Sequence, residues 1–487
     1  MGSVVRNKTA TNRFYKPPRC LSAFLCLTLI FFQITPPFAG TPSAHAFFGE
    51  FGINDERELG EQFNVLVHSR MPLVLDPEVT SYIKSLLDRL LLRMPPQPFP
   101  FKANVIRHNA VNAFAVPGGY IYVYTGLILA MNNESELVGT LAHEIAHVSQ
   151  RHIAGRIAQS QKITLLSAIG LLAGAFLGGQ VGEAAMFGSL AAGQSAMLKY
   201  SRTDESEADQ VGMNYLVAAE FRPQGLVEAF KILQRPQWNV GSDFPSYLTT
   251  HPAIVERITE MNARVERMSA DIKNRKDDNR QFLRVQSLIR GRYGDPQSSL
   301  QFFEKQAQES DKGLAYFGTA ILYDRLNRVN EAELFFEKAM QSSPNEQLFI
   351  REAGRFHYLK LDRNKALSLL QKAVAMNSND YMGLFFYARL LNDNGQQFKA
   401  QEYYREILRA LPDDAEIHYH YAQSLGQSKQ LFLAHLHLAY SFLYENNSPK
   451  VEQWLEKTRN LAQNTTEQRE LEIFMQKYKD RSYYWQR

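Results

Sequence analysis

The chain has 487 residues, more than one ordinary hydrophobic core organises, so two or three domains are expected. Its formal net charge is +4, but five cations fall within the first 46 residues, and the remainder carries about −1. That remainder has no excess of positive charge that would favour nucleic acid as a partner.

Residues 1–46 have the pattern of a secretory signal peptide. Five lysines and arginines precede the apolar run CLSAFLCLTLIFF at 20–32, and AHA at 44–46 offers small residues for cleavage before Phe47. An uncleaved membrane anchor is the alternative, although the apolar run is short for a bilayer span. Both cysteines of the chain lie in this segment, so the processed chain would have no disulfide and no cysteine chemistry.

The next segment is predicted to mix helices and strands. Apolar residues recur with helical periodicity over 53–70 and 77–94. KANVIRH at 102–108 and NAFAVPGGYIYVYTG at 112–126 have the composition of strands, and PGG supplies a turn within the second. A small sheet is therefore expected beside these helices.

The sequence LAHEIAHVSQRH at 141–152 carries the first candidate for chemistry. Asn133 has the spacing of a helix cap to a glutamate three residues later, so a helix is expected to begin near Glu134. On that helix His143 and His147 share one face, and both imidazoles can bind one metal ion.

Glu144 lies about 100° round the helix from His143, close enough to reach a water at the metal without being a ligand. Zinc fits this pattern because it takes imidazole ligands, keeps one position open in enzymes and activates water, for which Glu144 would be the general base. A third protein ligand is needed, but the position of the third histidine in a metzincin is Ile153 here. His152 falls off the metal-facing stripe and is predicted to be structural or to support a ligand.

The segment ITLLSAIGLLAGAFLGG at 163–179 is apolar on all sides, and the apolar character continues to about Met197 with Glu183 as its one charge. Its seventeen residues are marginal for crossing a bilayer. A buried or cleft-covering helical hairpin over 163–197 is one interpretation, and a surface that touches a membrane is the other.

The helical region 198–270 supplies candidates for the remaining ligand. In SRTDESEAD at 201–209, Glu205 and Asp209 stand four residues apart on one helical face. One carboxylate can bind the metal while the other accepts the spare N–H of a ligand histidine, and a His–His–Glu set is the thermolysin-type solution. A solvated acidic helix face is the alternative, and Glu207 is predicted to lie at the surface.

After the polar stretch 273–281, predicted to be a linker or a helix end, the sequence repeats with a period of 34 residues. Small residues recur where paired helices would touch, with a bulky residue four positions later, which is the tetratricopeptide pattern. Helices near 281–310 and 449–480 are expected to cap the stack. The four clear units are 313–346, 347–380, 381–414 and 415–448, with in-phase small residues at Ala332, Ala366, Ala400 and Ala434 and bulky residues at Phe336, Leu370, Tyr404 and Leu438.

Two further histidine pairs occur in the repeats, His418 with His420 and His435 with His437. Residues two apart on a helix diverge by about 200°, so neither pair can share an ion. These histidines are predicted to be packing or surface residues, and one zinc per chain is expected.

HEIAH followed by SRxxExxAD, with NAFAVPGG before it and THP after it, resembles the gluzincin metallopeptidase family of the CAAX prenyl proteases, HtpX and the Oma-type mitochondrial peptidases. The resemblance implies one zinc held by His143, His147 and Glu205, with Glu144 as the base. It also gives Asp209 a role, either as proton donor or as the group that orients a histidine. Orientation is favoured because Asp209 lies one helical turn beyond the ligand.

The same resemblance implies a role for His251, in TTHP. It matches the family position that stabilises the oxyanion, and in relatives with a repeat domain it can instead close over the zinc as a fourth ligand and hold the enzyme latent. The alternative is that His251 caps a helix whose first residue is Pro252.

A substrate-binding strand is also implied. Four residues resemble the edge strand on which such enzymes align a peptide by β-addition, and an ordinary strand of the sheet is the alternative. These residues are Asn112, Ala113, Phe114 and Ala115.

With a signal peptide in front and repeats behind, the whole chain resembles bacterial members of this family that serve outer-membrane assembly. The expected fold is α+β and mostly helical, with a zincin-type metallopeptidase domain containing a small sheet at 47–272 and an all-α tetratricopeptide-repeat solenoid at 281–487. The resemblance implies a zinc endopeptidase in the periplasm of a Gram-negative bacterium, with unfolded outer-membrane proteins and the β-barrel assembly machinery as partners of the repeat face. A repeat scaffold or chaperone whose peptidase site is latent is the alternative.

Overall fold

Helices dominate the protein, and one small sheet lies among the helices of the first half. The computed structural model describes residues 51–159, 164–177, 200–235, 247–309 and 312–482. The predicted signal peptide lies outside these residues. Within them, no helix combines the length and the apolar character needed to cross a membrane. The predicted fold class, α+β and mostly helical, is confirmed.

The predicted helix at 53–70 and the predicted strands are present, whereas the second helix ends at Leu91 rather than at 94. The elements of the first half are α1 (Ile53–Arg70), α2 (Pro77–Leu91), β1 (Lys102–Ile106), β2 (Ala113–Val116), β3 (Tyr120–Tyr124), α3 (Thr125–Ala130), α4 (Glu134–Ser149), α5 (His152–Gln159), α6 (Leu165–Leu172) with a π-helical turn at Ala173–Leu177, α7 (Arg202–Ala218), α8 (Gln224–Leu233), α9 (Tyr247–Thr250), α10 (Ile254–Glu266) and α11 (Ala270–Lys273).

The sheet has the order β1–β3–β2, with β1 parallel and β2 antiparallel to the central strand β3. Ile121 and Val123 of β3 belong to the core that α2 and α4 share, whereas Tyr120, Tyr122 and Tyr124 face a second core with α1 and α6. Successive side chains of a strand point to opposite faces, so one buried strand joins both cores.

Helix α4, which carries the HEIAH sequence, is buried along almost its whole length. Asn133 caps it, because its side chain accepts the backbone N–H of Glu136 at 3.0 Å. Helix α7 approaches α4 at Gly212, where an added Cβ would lie 3.0 Å from the carbonyl oxygen of Ala142 and 3.1 Å from the Cα of His143. Glycine at this position therefore lets α7 bring its carboxylates directly against the histidine-bearing turn.

The polar stretch 273–281 is tied to the start of α4. Asn279 Oδ1 accepts the backbone N–H of Glu134 at 2.9 Å. Asp277 accepts a hydrogen bond from the Ser135 hydroxyl and another, at 3.0 Å, from Arg222 Nε. The first turn of a helix has backbone donors without intrahelical partners, and this stretch satisfies one of them.

The second half consists of successive helix pairs, and their phase matches the predicted repeats. The two helices of each pair pack against each other, and the in-phase residues Ala332, Ala366, Ala400 and Ala434 are all buried between them. The helices are α12 (Arg280–Tyr293), α13 (Pro296–Glu309), α14 (Lys312–Arg325), α15 (Val329–Ser342), α16 (Gln347–Leu359), α17 (Arg363–Met376), α18 (Tyr381–Asp393), α19 (Gln397–Ala410), α20 (Ala415–Gln427), α21 (Leu431–Tyr444), α22 (Ser448–Arg459) and α23 (Thr465–Ser482).

The two halves meet in a continuous apolar core and a buried charge network. Phe282 and Leu288 of α12 belong to the same core as α2 and α4. We name the charged groups beside them the junction network, and it comprises Asp76, Arg292, Arg351, Glu352, Arg355 and Asp380. Arg292 bridges Asp76 of the first half and Glu352 of the repeats, with its Nη2 at 2.5 Å from Glu352 Oε2.

Candidate metal centre

Four buried side chains converge at one point in the first half. Ligand atoms of His143, His147, Glu205 and His251 all lie within 4.8 Å of one another. All four residues are almost completely excluded from solvent. Among the described residues this is the one group of three or more histidines, cysteines or acids that could hold a metal ion.

Helix α4 places the two histidines as the four-residue spacing predicts. The Nε2 atoms of His143 and His147 lie 3.0 Å apart, so both rings point into the same small space. On α7, Glu205 Oε2 lies 3.6 Å from His143 Nε2, and Glu205 Oε1 lies 3.6 Å from His147 Nε2. Two helices thus bring a His–His–Glu set together across 62 residues of sequence.

His251 completes the cluster from the end of α9. Its Nδ1 lies 2.9 Å from Glu205 Oε1 and 3.4 Å from His143 Nε2. The ring stacks on Tyr247, with centroids 4.1 Å apart, and on Tyr200, at 4.9 Å. These aromatic contacts fix the imidazole plane inside the cluster.

The helix-capping interpretation of His251 is wrong. Helix α10 begins at Ile254 rather than at Pro252, because Ala253 takes a left-handed conformation with φ of 61° and separates the proline from the helix. The N-cap residue is Ala253, and no side chain caps this helix. A left-handed conformation is uncommon for alanine and carries a cost that neighbouring structure must offset.

Glu144 lies beside the cluster with both carboxylate oxygens buried and without a hydrogen-bond partner among the described residues. Its Oε1 lies 3.5 Å from His251 Nε2. Burial raises the pKa of Glu144 above its ordinary value. A buried carboxylate without hydrogen bonds is costly, so its presence indicates that the group has another task.

Asp209 supports His143 from the side away from the cluster. Its Oδ1 lies 3.0 Å from His143 Nδ1, which leaves Nε2 facing the other ligands. Burial and Arg257 act to lower the pKa of His143, but Asp209 and Glu205 outweigh them and raise it to about 9. The distance is that of a hydrogen bond that would orient the ring.

Sequence reasoning missed Arg257, as it missed the stacked rings of Tyr200 and Tyr247. The guanidinium of Arg257 donates to both oxygens of Asp209 at 2.8 Å, pairs with Glu205 and lies 4.4 Å above the ring of Phe230. A signal was present in the sequence, because Arg257 falls on the buried stripe of α10 that also carries Ile254. A charged residue on an apolar stripe predicts a buried partner.

His152 and Glu207 form a second support, behind His147. His152 Nδ1 lies 2.8 Å from His147 Nδ1, and His152 Nε2 lies 3.4 Å from Glu207 Oε2. Glu207 is half exposed, as predicted, yet it contacts His152. Each α4 histidine therefore has its outer nitrogen occupied and its Nε2 directed inward.

The histidines of the repeats are packing residues, as predicted, and one contact between two helices could not be read from their spacing. Residues two apart diverge as predicted, but His418 Nδ1 lies 2.7 Å from His437 Nδ1 across the α20–α21 pair. His420 instead contacts Gln423, and the ring of His435 lies against Trp454. Burial lowers the pKa of His418 to about 4, which indicates a neutral packed histidine.

The predicted substrate strand corresponds to β2 and the residue before it. β2 is an edge strand of the described sheet, since it pairs only with β3 there. Asn112 accepts the N–H of Tyr124, so by strand alternation the backbone groups of Ala113 and Ala115 point away from β3. Phe114 is buried and stacks on Phe176, with centroids 4.8 Å apart.

Part of the apolar segment at 163–197 lies outside the described residues. The described part, 164–177, packs into the core on the α1 side of the sheet. Tyr124 donates its hydroxyl hydrogen bond to the Phe176 carbonyl at 3.1 Å. Leu171, Leu172, Phe176 and Leu177 in this part are buried.

Comparison with known proteins gives one family match and several relatives. Residues 75–265 match the model of Peptidase family M48. The chain is 26% identical over 377 residues to the β-barrel assembly-enhancing protease of Escherichia coli (strain K12), which covers 75% of this chain and 76% of that protein. It is 28% identical over 338 residues to the protein of the same name from Yersinia pestis, covering 67% and 68%.

More distant similarities cover single regions. The chain is 30% identical over 200 residues to the mitochondrial metalloendopeptidase OMA1 of Schizosaccharomyces pombe, covering 39% of this chain and 56% of that protein. The crystal structure of YrrB, a TPR protein with an unusual peptide-binding site, aligns with a TM-score of 0.30 and 19% identity over 35% of this chain and 89% of that chain. The helix pairs described above, and not this alignment, carry the fold of the repeats.

Proposed function

We propose that the chain, a metalloendopeptidase whose residues 75–265 match the model of Peptidase family M48, is a periplasmic zinc enzyme that cleaves unfolded or stalled outer-membrane proteins. The observation that carries the catalytic part is the buried cluster of His143, His147 and Glu205 beside the unpartnered carboxylate of Glu144. The client class comes from the printed name of the relatives, a β-barrel assembly-enhancing protease.

The donor set fits a divalent cation. Glu144, Glu205 and Asp209 are buried together with one guanidinium, that of Arg257, so neutral histidines leave two negative charges uncompensated. Two imidazoles and one carboxylate are the ligands of zinc in enzymes of the thermolysin type. When bound, zinc supplies a Lewis acid that activates water and polarises the scissile carbonyl.

The remaining groups of the chain have roles that follow from their contacts. Glu144 accepts the proton of the attacking water and returns it to the leaving amine. Asp209 holds the Nδ1–H of His143, and His152 occupies the Nδ1 of His147, so that both Nε2 atoms stay directed at the metal. Arg257 fixes Asp209 and Glu205 relative to each other.

The substrate is proposed to align along β2. The backbone groups of Ala113 and Ala115 face away from β3, but both residues are buried, so an extended peptide can pair with them only after this edge becomes exposed. An unfolded chain suits this mode because only backbone that is free of other partners can join a sheet edge. The repeat solenoid is proposed to hold such clients, or the β-barrel assembly machinery, through its concave face.

The domain limits predicted from the sequence, 47–272 and 281–487, remain part of this proposal. So does export, with cleavage near Ala46. The continuous core between α12 and the first half supports a fixed placement of the repeats next to the metallopeptidase domain.

The catalytic assignment is tested by Glu144→Gln. The variant is expected to bind one zinc per chain, measured by elemental analysis, and to cleave an unfolded casein-like substrate at least about a hundredfold more slowly, because the general base is lost. Glu402→Gln, an exposed substitution in α19, is the matched control and should cleave at the wild-type rate. Undiminished cleavage by Glu144→Gln would remove Glu144 from the mechanism.

A second candidate function is a repeat scaffold or chaperone whose peptidase site is latent. One observation favours it: His251 lies 2.9 Å from Glu205 and 3.4 Å from His143, where it can act as a fourth ligand. If His251 blocks the metal at rest, His251→Ala should cleave unfolded protein faster than wild type. If it serves only the oxyanion, the same change should slow turnover by about a hundredfold or more.

Complementation separates the two candidate functions. In a strain that lacks the gene, a Glu144→Gln protein that fully restores outer-membrane integrity, while a truncation of the repeats does not, would make binding the main function. Failure of the Glu144→Gln protein to restore integrity would support proteolysis as the main function.

A further inference from the structure

The repeat solenoid has a second surface, formed by the turns between the two helices of each repeat. We name it the turn edge, and it comprises 326–328, 360–362, 394–396, 428–430 and the first helical residues after each turn. Neighbouring turns, or the helix ends beside them, are in contact. Lys360 Nζ lies 3.3 Å from Asn327 Oδ1, the Tyr358 hydroxyl donates to Asp393 at 2.8 Å, and Gln397 contacts Gln427 at 3.4 Å. The turns therefore form one continuous edge.

Leu361 is placed on this edge against its own conformational preference. It has φ of 66°, and the in-phase residues of the other units, Asn327, Gly395 and Lys429, also have positive φ. The left-handed conformation suits asparagine and glycine and is unfavourable for leucine. Leu361 is also 80% exposed, so hydrophobic burial does not offset the conformational cost. The fold does not account for a leucine here.

Two more apolar side chains extend the pattern into the next repeats. Phe398 is 73% exposed in the first turn of α19, where the preceding repeats have Asn330 and Asn364. Leu431 is 51% exposed at the start of α21, where the preceding repeat has Gln397. Polar residues thus satisfy the fold at the same positions. Single exposed apolar residues are common on proteins, but these three on successive turns of one edge, with Leu326 43% exposed in the turn before them, form a surface.

The same edge has an excess of positive charge. Arg363, Lys399 and Lys429 are exposed, and among the described residues none of them lies within 4.0 Å of a carboxylate oxygen. The nearby acids are engaged elsewhere: Asp393 accepts the Tyr358 hydroxyl, and Asp362 caps α17 by accepting the N–H of Lys365. Apolar tips alternate with unpaired cations along the edge.

We propose that the turn edge docks on a membrane surface that contains anionic phospholipid. Each apolar tip comes from a different repeat, and packed helices stand about 8–10 Å apart, so the tips are too widely spaced to line one pocket for a peptide side chain. A planar lipid surface can accept all three tips at the headgroup boundary while the cations contact anionic headgroups. The partner is therefore a surface and not a groove-bound segment.

The test is sedimentation of the full chain with vesicles of phosphatidylcholine alone and of equimolar phosphatidylcholine and phosphatidylglycerol. Wild type should bind the anionic vesicles more tightly, and added salt should weaken the binding. The triple variant Leu361→Asn, Phe398→Asn and Leu431→Gln takes the residues of the sister repeats and should bind at least about tenfold more weakly. It should unfold at the same temperature or higher, since asparagine suits the left-handed turn.

Matched controls separate this surface from general stickiness. Leu92→Asn, Val255→Asn and Leu334→Ser together remove three exposed apolar side chains that lie outside the turn edge, and this variant should bind as wild type does. Arg363→Gln with Lys399→Gln and Lys429→Gln should abolish the preference for anionic vesicles. Wild type that binds neither vesicle, or a turn-edge variant that binds as wild type does, would overturn the proposal. Vesicle binding is measured without any proteolysis, so failure of the membrane proposal would leave the catalytic assignment unaffected, and the reverse also holds.

Discussion

Two buried clusters of charged side chains lie in this protein, and they differ in charge balance. The junction network contains three carboxylates, of Asp76, Glu352 and Asp380, and three guanidinium groups, which match them in number. Glu78, which lies 3.9 Å from Arg351, has a guanidinium partner of its own in Arg284 at 3.0 Å. The metal centre also contains three carboxylates, but Arg257 is the one guanidinium among its described residues. The metal centre is almost completely buried, whereas Arg292 and Arg355 at the margin of the junction network are partly exposed.

The difference indicates what each cluster is for. Each carboxylate of the junction network has a guanidinium within ion-pair distance, so the network is complete as a structural element. In the metal centre, both oxygens of Glu144 lack a hydrogen-bond partner among the described residues. The missing positive charge can come from a bound cation or from protons on Glu144 and His143, whose pKa values are raised, whereas a balanced cluster needs neither.

The largest expected difference between the two clusters appears when one carboxylate is neutralised in each. Glu352→Gln leaves Arg292 and Arg351 buried without their shared partner, and we expect a loss of about 3–5 kcal/mol in the free energy of unfolding. Glu144→Gln removes a carboxylate that has no partner, so the metal-free protein should be equally stable or more stable. Urea unfolding after chelation measures both, and equal losses would show that the two clusters do not differ as argued.

Added zinc should stabilise the protein through the metal centre and not through the junction network. At free zinc of about 100 to 1,000 times its dissociation constant, we expect the free energy of unfolding to rise by roughly 2.7–4.1 kcal/mol. The increment should be lost in His147→Ala and retained in Glu352→Gln, because the junction network offers no imidazole ligands. Thermal unfolding with and without zinc measures it. An increment of the same size in His147→Ala would place the zinc elsewhere.

Acid should affect the junction network through Glu352. Burial acts to raise the pKa of Glu352, but Arg292 and Arg351 outweigh it and hold this pKa well below the ordinary value of 4.5. The unfolded chain therefore takes up a proton that the folded chain does not as the pH falls below about 4.5, and stability is lost in that range. Unfolding of the metal-free protein at a series of pH values should show a shallower acid loss for Glu352→Gln than for Glu402→Gln. Equal slopes would contradict the assignment.

The smallest effect is expected at an exposed ion pair of the same chemistry. Lys84 Nζ lies 2.6 Å from Asp88 Oδ2 on α2, with 72% and 49% of the two side chains exposed. Asp88→Asn should change the free energy of unfolding by less than about 0.5 kcal/mol, because water solvates both partners well. Urea unfolding beside Glu352→Gln gives the contrast. A loss comparable to that of Glu352→Gln would show that ion pairing itself, and not burial of the pair, determines the loss in the free energy of unfolding.

The sequence determined the elements whose signals are local. Apolar periodicity predicted α1 with its bounds, and the Asn133 cap predicted the start of α4. The 34-residue period predicted the helix pairs in the correct phase. The four-residue spacings also determined that His143 and His147 share a face, because that relation lies within one helix. The fold class and the metalloendopeptidase assignment are confirmed, while the roles of the individual site residues stay predictions.

The tertiary structure decided what joins distant parts of the chain. Arg257 meets Asp209 across 48 residues, Arg292 meets Asp76 across 216, and His418 meets His437 across two helices. No periodicity within one element encodes such contacts, since they depend on how helices pack and on which side chain fills the space between them. The sequence thus predicted the residues that cluster at the candidate metal centre, but only packing revealed the charge imbalance of this site and the balanced network beside it.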